Sequence, residues 1–583
     1  MRDDGGSHIS DAEVVMEYSQ ELLDFINSPD TVDFIARKSG YLLDYLKHDP
    51  NVIITQTLVD RYVLGYVTRS RFESLARLLG SAFISSVSIV LGLLNREALN
   101  KSGIIQVHNQ PYLGLKGSNV LVGIVDTGID FTQPPFIYDD GTSKIQYIYD
   151  ETGVGNTPPG FTVGTEYTNE QINAALKSDR PFEIVKQRDE SGHGTFNASV
   201  AAGRQVGDFI GAAPEAEIIA VKLRKVRPTY RDWFCIAKDQ EFAFESSAVM
   251  IGVEYIITKA QELGRPVAIC IGLGSNFGGH DGNSFLEEYL AYVANLRGVC
   301  LCVAAGNERQ ARHHTQGKLN MAGETQNIDL KIGERASNVC ISIWNAVSDR
   351  FSVSIHSPSG ELIRRVPARN GPETTAELLL ESSTVTVQYF FPLEHSGGQL
   401  TMVRILNATP GIWSITVHGD IVLDGTYHAW LPMTGFVAEG VEFLAPSPYY
   451  TITVPGTMLG SICCGAYDSE DDRLYLRSSW GPTLAPTMAP DLVAPGVNIS
   501  GYTPSGFGTI SGTSSATAVT TGACALFLQW GIVQKHDVAL STNQIRAFLI
   551  RGCSKTEGIE YPNVQWGYGK LNLMQSFSLM REI

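Results

Sequence analysis

A chain of 583 residues carrying 61 acidic against 44 basic side chains, a formal charge of −17, lacks the dense basic surface that a phosphate backbone requires, which argues against a nucleic-acid partner. With 43% hydrophobic and 18% charged residues it has the make-up of a folded chain rather than a disordered one, and it is too long for one ordinary core, so about two to four domains are expected. No stretch reaches the roughly 18 to 20 uninterrupted apolar residues of a membrane helix; residues 83–94 are broken by Ser85, Ser86, Ser88 and Gly92.

The chain opens MRDDGGSHISDAEVV, acidic and polar where a secretory signal would be basic and then apolar, so no Sec signal is expected. Residues 1–97 read as a small α/β unit. Helical periodicity in AEVVMEYSQELLDFINS is followed by a strand-like run, NVIITQTLVDRYVLGYVT, then a helix, RSRFESLARLLG, and a strand, SSVSIVLGLL. Residues 98–324 alternate continuous apolar strands (VLVGIVD, EIIAVKL, PVAICIGLG, GVCLCVAAGN) with helical segments. That pattern predicts a parallel sheet covered on both faces. Functional residues in such sheets gather at the carboxyl ends of the strands; Asp126 ends one strand and Asn307 follows another.

From 325 to 448 the pattern changes to alternating strands, FSVSIHSP, STVTVQYFF, QLTMVRIL and IWSITVHG, separated by the turns SPSG, HSGG and ATPG. These predict an all-β sandwich or jelly roll. Residues 449–583 return to α/β character, so the β unit is an insertion in a divided domain. Nine cysteines sit largely in apolar runs without CxxC or Cys/His zinc spacing, which reads as buried free thiols in a reducing compartment and no structural metal at cysteine.

Three segments hold residue types suited to attacking an amide bond, which needs an activated hydroxyl, a base and donors for a developing oxyanion. VGIVDTGID places Asp126 at a strand end before a tight turn. DESGHGTFNASVAAG places His193 between Gly192 and Gly194 at a helix start. SGFGTISGTSSATAVTTGACALFL places Ser514 at the N-terminus of an apolar helix, where the helix dipole favours negative charge. Taken singly, these are a turn acid, a packing histidine and a helix cap. Their order and company change the reading.

With DTGID, HGT and GTS in that order, the chain resembles the subtilases. AAGN, IGLG, GAAPEAEIIAVKL, SSWGP and DLVAPGVNI resemble the family's supporting segments. The resemblance implies an α/β fold: a subtilisin-like parallel sheet sandwiched by helices, with an N-terminal α/β prodomain and an inserted β jelly roll. It implies Ser514 as nucleophile, His193 as general base, Asp126 as orienting acid, and Asn307 with the Ser514 N–H as the oxyanion hole. Gly272, Leu273 and Gly274 would pair with the substrate backbone. No cofactor is implied. Ser515 and Ala518 depart from the usual residues after the serine, outside the catalytic roles. AAGRQVGDFIG, residues 201–211, lacks the calcium ligands of many secreted subtilases, so no metal is expected there.

By layout the chain is similar to the clostridial Csp germination proteases. That resemblance implies a cytoplasmic or spore-associated processing protease. Its partners would be its own prodomain, cut near residues 94–99, and a protein substrate such as a spore cortex-lytic prohydrolase. A broad-specificity bacterial subtilase and a triad-fold pseudoprotease sensor in germination stay open as alternatives.

Overall fold

The computed structural model describes residues 20–93 and 100–580. Its centre is an eight-stranded sheet. In spatial order the strands are Leu492–Pro495, Ile462–Tyr467, Val299–Ala304, Val267–Ile271, Leu121–Asp126, Glu217–Lys222, Ile145–Asp150 and Thr165–Thr168. All pairings are parallel except the last. Side chains alternate between faces, and both faces are buried. Val122, Ile124, Ala268, Cys270, Cys300 and Cys302 enter one core with helices His193–Ala202 and Thr513–Leu528. Leu121, Val125, Val267, Ile269, Leu301 and Val303 enter the other with helices Ser246–Glu262 and Phe285–Ala294. This is why the strands read as continuous apolar runs.

The helix Thr513–Leu528 continues through Val533, and an 18-residue window of this 21-residue stretch has a mean hydropathy of 1.4 and is 83% buried. By length and composition it meets the requirement for a membrane span, which the apolar-run criterion missed because threonines interrupt it. Those hydroxyls bond within the helix, Thr517 to Thr513 O at 2.7 Å and Thr521 to Thr517 O at 2.8 Å, so the helix can lie wholly inside the core.

The N-terminal unit is a three-stranded antiparallel sheet, Thr31–Arg37, Tyr62–Thr68 and Val52–Leu58 in spatial order, with helices Gln20–Asn27, Tyr41–Leu46 and Arg69–Leu79. The single strand-like run of the sequence is a hairpin, turned at Val59 and Asp60, both at positive φ (40° and 55°). Two non-glycine residues in that region give no turn signal to read.

Between Asn307 and Ser514 lie two antiparallel sheets. One has six strands, from His314–Lys318 to Glu373–Leu378; the other has five, centred on Gly411–Ile421. Their facing sides share one core that includes Trp413, Ile415, Val417, Val403 and Tyr389. The strands begin at His314, earlier than the 325 boundary expected from sequence, because HTQGK has little apolar alternation to announce it.

Candidate active site

Asp126 closes its strand with a buried carboxylate. Oδ1 accepts the Thr127 N–H at 2.8 Å and Oδ2 the Asn197 amide at 3.1 Å. His193 Nδ1 lies 2.8 and 2.9 Å from the two oxygens. A carboxylate only accepts, so Nδ1 carries the proton and Nε2 of the neutral ring is left as acceptor. Nε2 lies 3.2 Å from Ser514 Oγ. Ser514 is the second residue of its helix and is fully buried.

The glycines have stereochemical reasons. A Cβ on Gly194 would stand 2.2 Å from Gly128 O, so the histidine helix can approach the Asp126 turn only without one. A Cβ on Gly272 would meet Ser514 Cβ at 3.0 Å, Asn197 Nδ2 at 3.1 Å and His193 Cε1 at 3.3 Å. Gly272 is thus the wall against which the other residues stand.

Asn307 follows the strand Val299–Ala304. Its Oδ1 accepts from Thr513 N at 3.2 Å and Thr513 Oγ1 at 3.3 Å. A backbone N–H can only donate, which fixes the amide: oxygen toward Thr513, Nδ2 turned away with its donors uncommitted among the described residues.

Leu273–Gly274 forms the edge of a small antiparallel sheet. Val90–Leu93, the last described strand of the N-terminal unit, lies between it and Ala243–Glu245. Leu93 stands opposite Leu273 and Gly92 opposite Gly274. The expected cleavage stretch, residues 94–99, lies outside the described residues. A buried ionic node fastens the unit nearby. Arg227 Nη1 donates to Asp33 at 2.7 Å and to Glu245 at 2.8 Å, and Nη2 to Ile26 O at 3.2 Å. Burial pushes Glu245 up to about 7 even with Arg227 beside it.

The sequence reading missed Asp189. Its carboxylate accepts from Thr127 Oγ1 (2.7 Å), Gly192 N (2.8 Å) and Thr195 N and Oγ1 (2.8 and 2.6 Å), clamping the histidine helix to the Asp126 turn. An acid three residues before Gly192, with a threonine three residues after that, was the available signal. Around the 201–211 loop, Arg204 pairs with Asp139 at 2.6 Å, and the buried Lys144 Nζ donates to Ala202 O and to Pro214 O at 2.8 Å, burial lowering this amine to about 7. All nine cysteines are unpaired and buried. The thiols of Cys300, Cys302 and Cys524 converge within 4.8 Å, and burial holds all three well above the usual thiol range.

The match to a family model decides the grouping: residues 117–327 and 445–569, more than half of the chain, fit the model described as the subtilase family, Peptidase S8. This chain belongs to the subtilase family. The stretch of the subtilase left between the two matched segments contains most of the β insert. The solved structure of the CspB protease of Clostridium perfringens is 32% identical, with a TM-score of 0.73, over 83% of this chain and 98% of that one. The PII-type proteinase of Lactococcus lactis subsp. cremoris is 23% identical over 534 residues, 82% of this subtilase but 26% of that protein. The serine protease AprX of Bacillus subtilis is 35% identical over 147 residues, 22% of this chain and 31% of that protein. The chain thus spans about a quarter to a third of these two curated relatives.

Behind Leu273–Gly274 the insert meets the catalytic half through a stack of buried histidines. His280 lies on Trp430 (centroids 4.1 Å apart, 6° between planes), His428 stands 4.5 Å from Tyr450, and His314 Nε2 is 3.2 Å from His428 Nδ1. Burial depresses all three, His280 and His428 to about 4 and His314 well below the ordinary imidazole range; Asp424 opposes this at His428. The unfolded chain takes up these protons near pH 6.5 and the folded chain does not, so stability falls as pH drops from 6.5 toward 4. At pH 4.5 each of His280 and His428 is expected to remove roughly 2–3 kcal/mol. Urea unfolding at pH 7 and pH 4.5 measures the total. Imidazole resonances of these residues titrating near 6.5 in the folded protein would contradict it.

Proposed function

We propose that the chain is a serine endopeptidase that processes itself and a small number of protein targets. The observation carrying this reading is the unbroken line from the Asp126 carboxylate through Nδ1 and Nε2 of His193 to Ser514 Oγ, at 2.8 and 3.2 Å. Ser514 Oγ attacks the scissile carbonyl while Nε2 takes its proton. Asp126 stabilises the imidazolium that forms. Asn307 Nδ2 and the Ser514 N–H bind the oxyanion, the imidazolium returns its proton to the leaving amine, and water completes the cycle through the same steps. Burial of the site strengthens each of these charge interactions.

Gly272, Leu273 and Gly274 hold the substrate strand. Residues 1–97 act as a prodomain whose strand Val90–Leu93 occupies that place, so the register directs the peptide bonds after Leu93 toward Ser514. N-terminal sequencing of the mature protein tests this: a new N-terminus within about residues 95–100 is expected, and an intact chain in active protein would contradict it. A further target is a protein zymogen such as a spore cortex-lytic prohydrolase, with the protein in the cytoplasm or the spore. The 32% identity to the CspB protease along nearly its whole length supports this. Defined cleavage of the prohydrolase with little digestion of casein is the expected pattern; the reverse indicates a broad degradative enzyme.

Asn307→Ala is expected to lower kcat by about 100- to 1000-fold with KM little changed, because its Nδ2 donor is engaged only when charge develops. Steady-state hydrolysis of a fluorogenic peptide ending in Val-Leu-Gly-Leu measures both constants.

A further inference from the structure

Glu308, the residue after Asn307, is a buried carboxylate at the meeting point of four chain segments. Oε2 accepts from His313 Nδ1 at 2.9 Å and from Asn276 Nδ2 at 3.1 Å, and Oε1 accepts the Thr434 N–H at 3.1 Å. Its own N–H donates to Ser479 Oγ at 3.0 Å. His313 stands where the chain enters the β insert, and Thr434 follows its strand Thr426–Trp430, ahead of the short last strand Glu442–Phe443. Asn276 lies just beyond Leu273–Gly274, and its amide also donates to Leu431 O at 3.2 Å. Leu431 N in turn donates to His313 O at 2.9 Å. One carboxylate therefore ties the entry of the insert, the segment after its strand Thr426–Trp430 and the end of the substrate-strand edge to the residue adjoining Asn307. Burial alone would raise this carboxyl; the hydrogen bond and charge of His313, with the Thr434 N–H, outweigh it and hold it below its ordinary range.

We propose that Glu308 is a positioning residue through which the β insert sets the Asn307 amide, so that the insert is part of what makes the oxyanion hole. Among the described residues, the bonds that orient the Asn307 side chain come from Thr513, on the helix side. The opposite side of the turn has the Glu308 carboxylate as its anchor, and truncating it frees Asn307 to shift relative to Ser514. A misplacement of about 1 Å in such a site costs up to about a hundredfold in rate.

The inference rests on the proteolytic reading above, and its test separates the two. In the full chain acting on the Val-Leu-Gly-Leu peptide, Glu308→Ala is expected to lower kcat about tenfold or more with KM within about twofold. Glu308→Gln keeps one acceptor oxygen but sets its NH₂ against either the Thr434 N–H or the Asn276 amide, so it is expected to recover only part of that rate. In an Asn307→Ala background, Glu308→Ala should change kcat less than about twofold, since the two act through one interaction. Equal losses in both backgrounds, or an unchanged kcat in folded Glu308→Ala, overturn the proposal. If Glu308→Ala does not fold, His313→Asn is read in the same cycle. If the wild type hydrolyses nothing, the proteolytic reading fails, and hydrogen exchange then decides this one. Glu308→Ala is expected to speed exchange across residues 305–308 and 431–436 together; no change there refutes the coupling.

Discussion

Ser514→Ala is expected to abolish peptide hydrolysis, with a loss of about 10⁶-fold in kcat, the size typical for a nucleophile in a subtilisin-type triad. The protein should be recovered as one full-length species. The loss is so large because the triad acts as a unit: without Oγ the base has no proton to take and Asp126 no imidazolium to stabilise. The fold should be indifferent. Ser514 lies in a helix where alanine is favoured, and its hydroxyl has His193 as its described side-chain partner. Removing it leaves Nε2 without that partner, at a cost of about 1–3 kcal/mol at most. Intact mass and a fluorophosphonate probe give the readout. Labelled wild type and unlabelled, uncut variant are expected; full activity in a folded variant would refute Ser514 as nucleophile.

The parts of this protein legible in its sequence are those where local pattern and tertiary role coincide. The central strands are buried on both faces, so their apolar runs announced themselves. Asp126, His193 and Ser514 each sit where a strand ends or a helix begins, and their small flanking residues are a steric need visible as Gly128, Gly194 and Gly272. What stayed hidden depends on distant partners. Thr31–Arg37 carries Asp33 in mid-strand, which looks wrong for a buried position until Arg227 and Ser88 are seen to satisfy it. The hairpin at Val59–Asp60 uses left-handed backbone without glycine or asparagine. Glu308 follows AAGN as an ordinary acid, and nothing nearby in the sequence says that His313, Asn276 and Thr434 converge on it. The buried histidines belong here too: their contacts cross between the catalytic half and the insert, so no local window contains them.

These hidden contacts bear on how the insert relates to catalysis. It is joined to the catalytic half by the histidine stack and by Glu308, and both junctions lie along the path from Leu273–Gly274 to Asn307. In mild acid the unfolded chain protonates these histidines while the folded stack stays neutral, and Glu308, held below its ordinary range, stays ionised. Loss of stability in mild acid should therefore come from these histidines and precede any change at Glu308.

Asp126→Asn is expected to lower kcat by about 10⁴-fold at neutral pH while leaving the backbone in place. Electrostatics and hydrogen-bond polarity act in the same direction. The carboxylate accepts on all sides: from Thr127 N, from Asn197 Nδ2 and from His193 Nδ1. An asparagine there has one oxygen and one NH₂. If its oxygen faces Thr127, its NH₂ meets the Asn197 donor and the histidine ring; if it faces Asn197, the NH₂ meets the Thr127 N–H. In either orientation a donor opposes a donor. The imidazole can satisfy an NH₂ only by presenting an unprotonated Nδ1, which moves the proton to Nε2 and points it at Ser514, so the base can no longer accept. The missing negative charge also leaves the imidazolium of the transition state unsupported. Because proton removal is impaired, the variant should regain rate as hydroxide takes over above about pH 9, whereas Ser514→Ala should not recover at any pH. A pH–rate profile of the two variants separates these outcomes. A neutral-pH loss below about tenfold for Asp126→Asn would mean that the carboxylate does not orient the base.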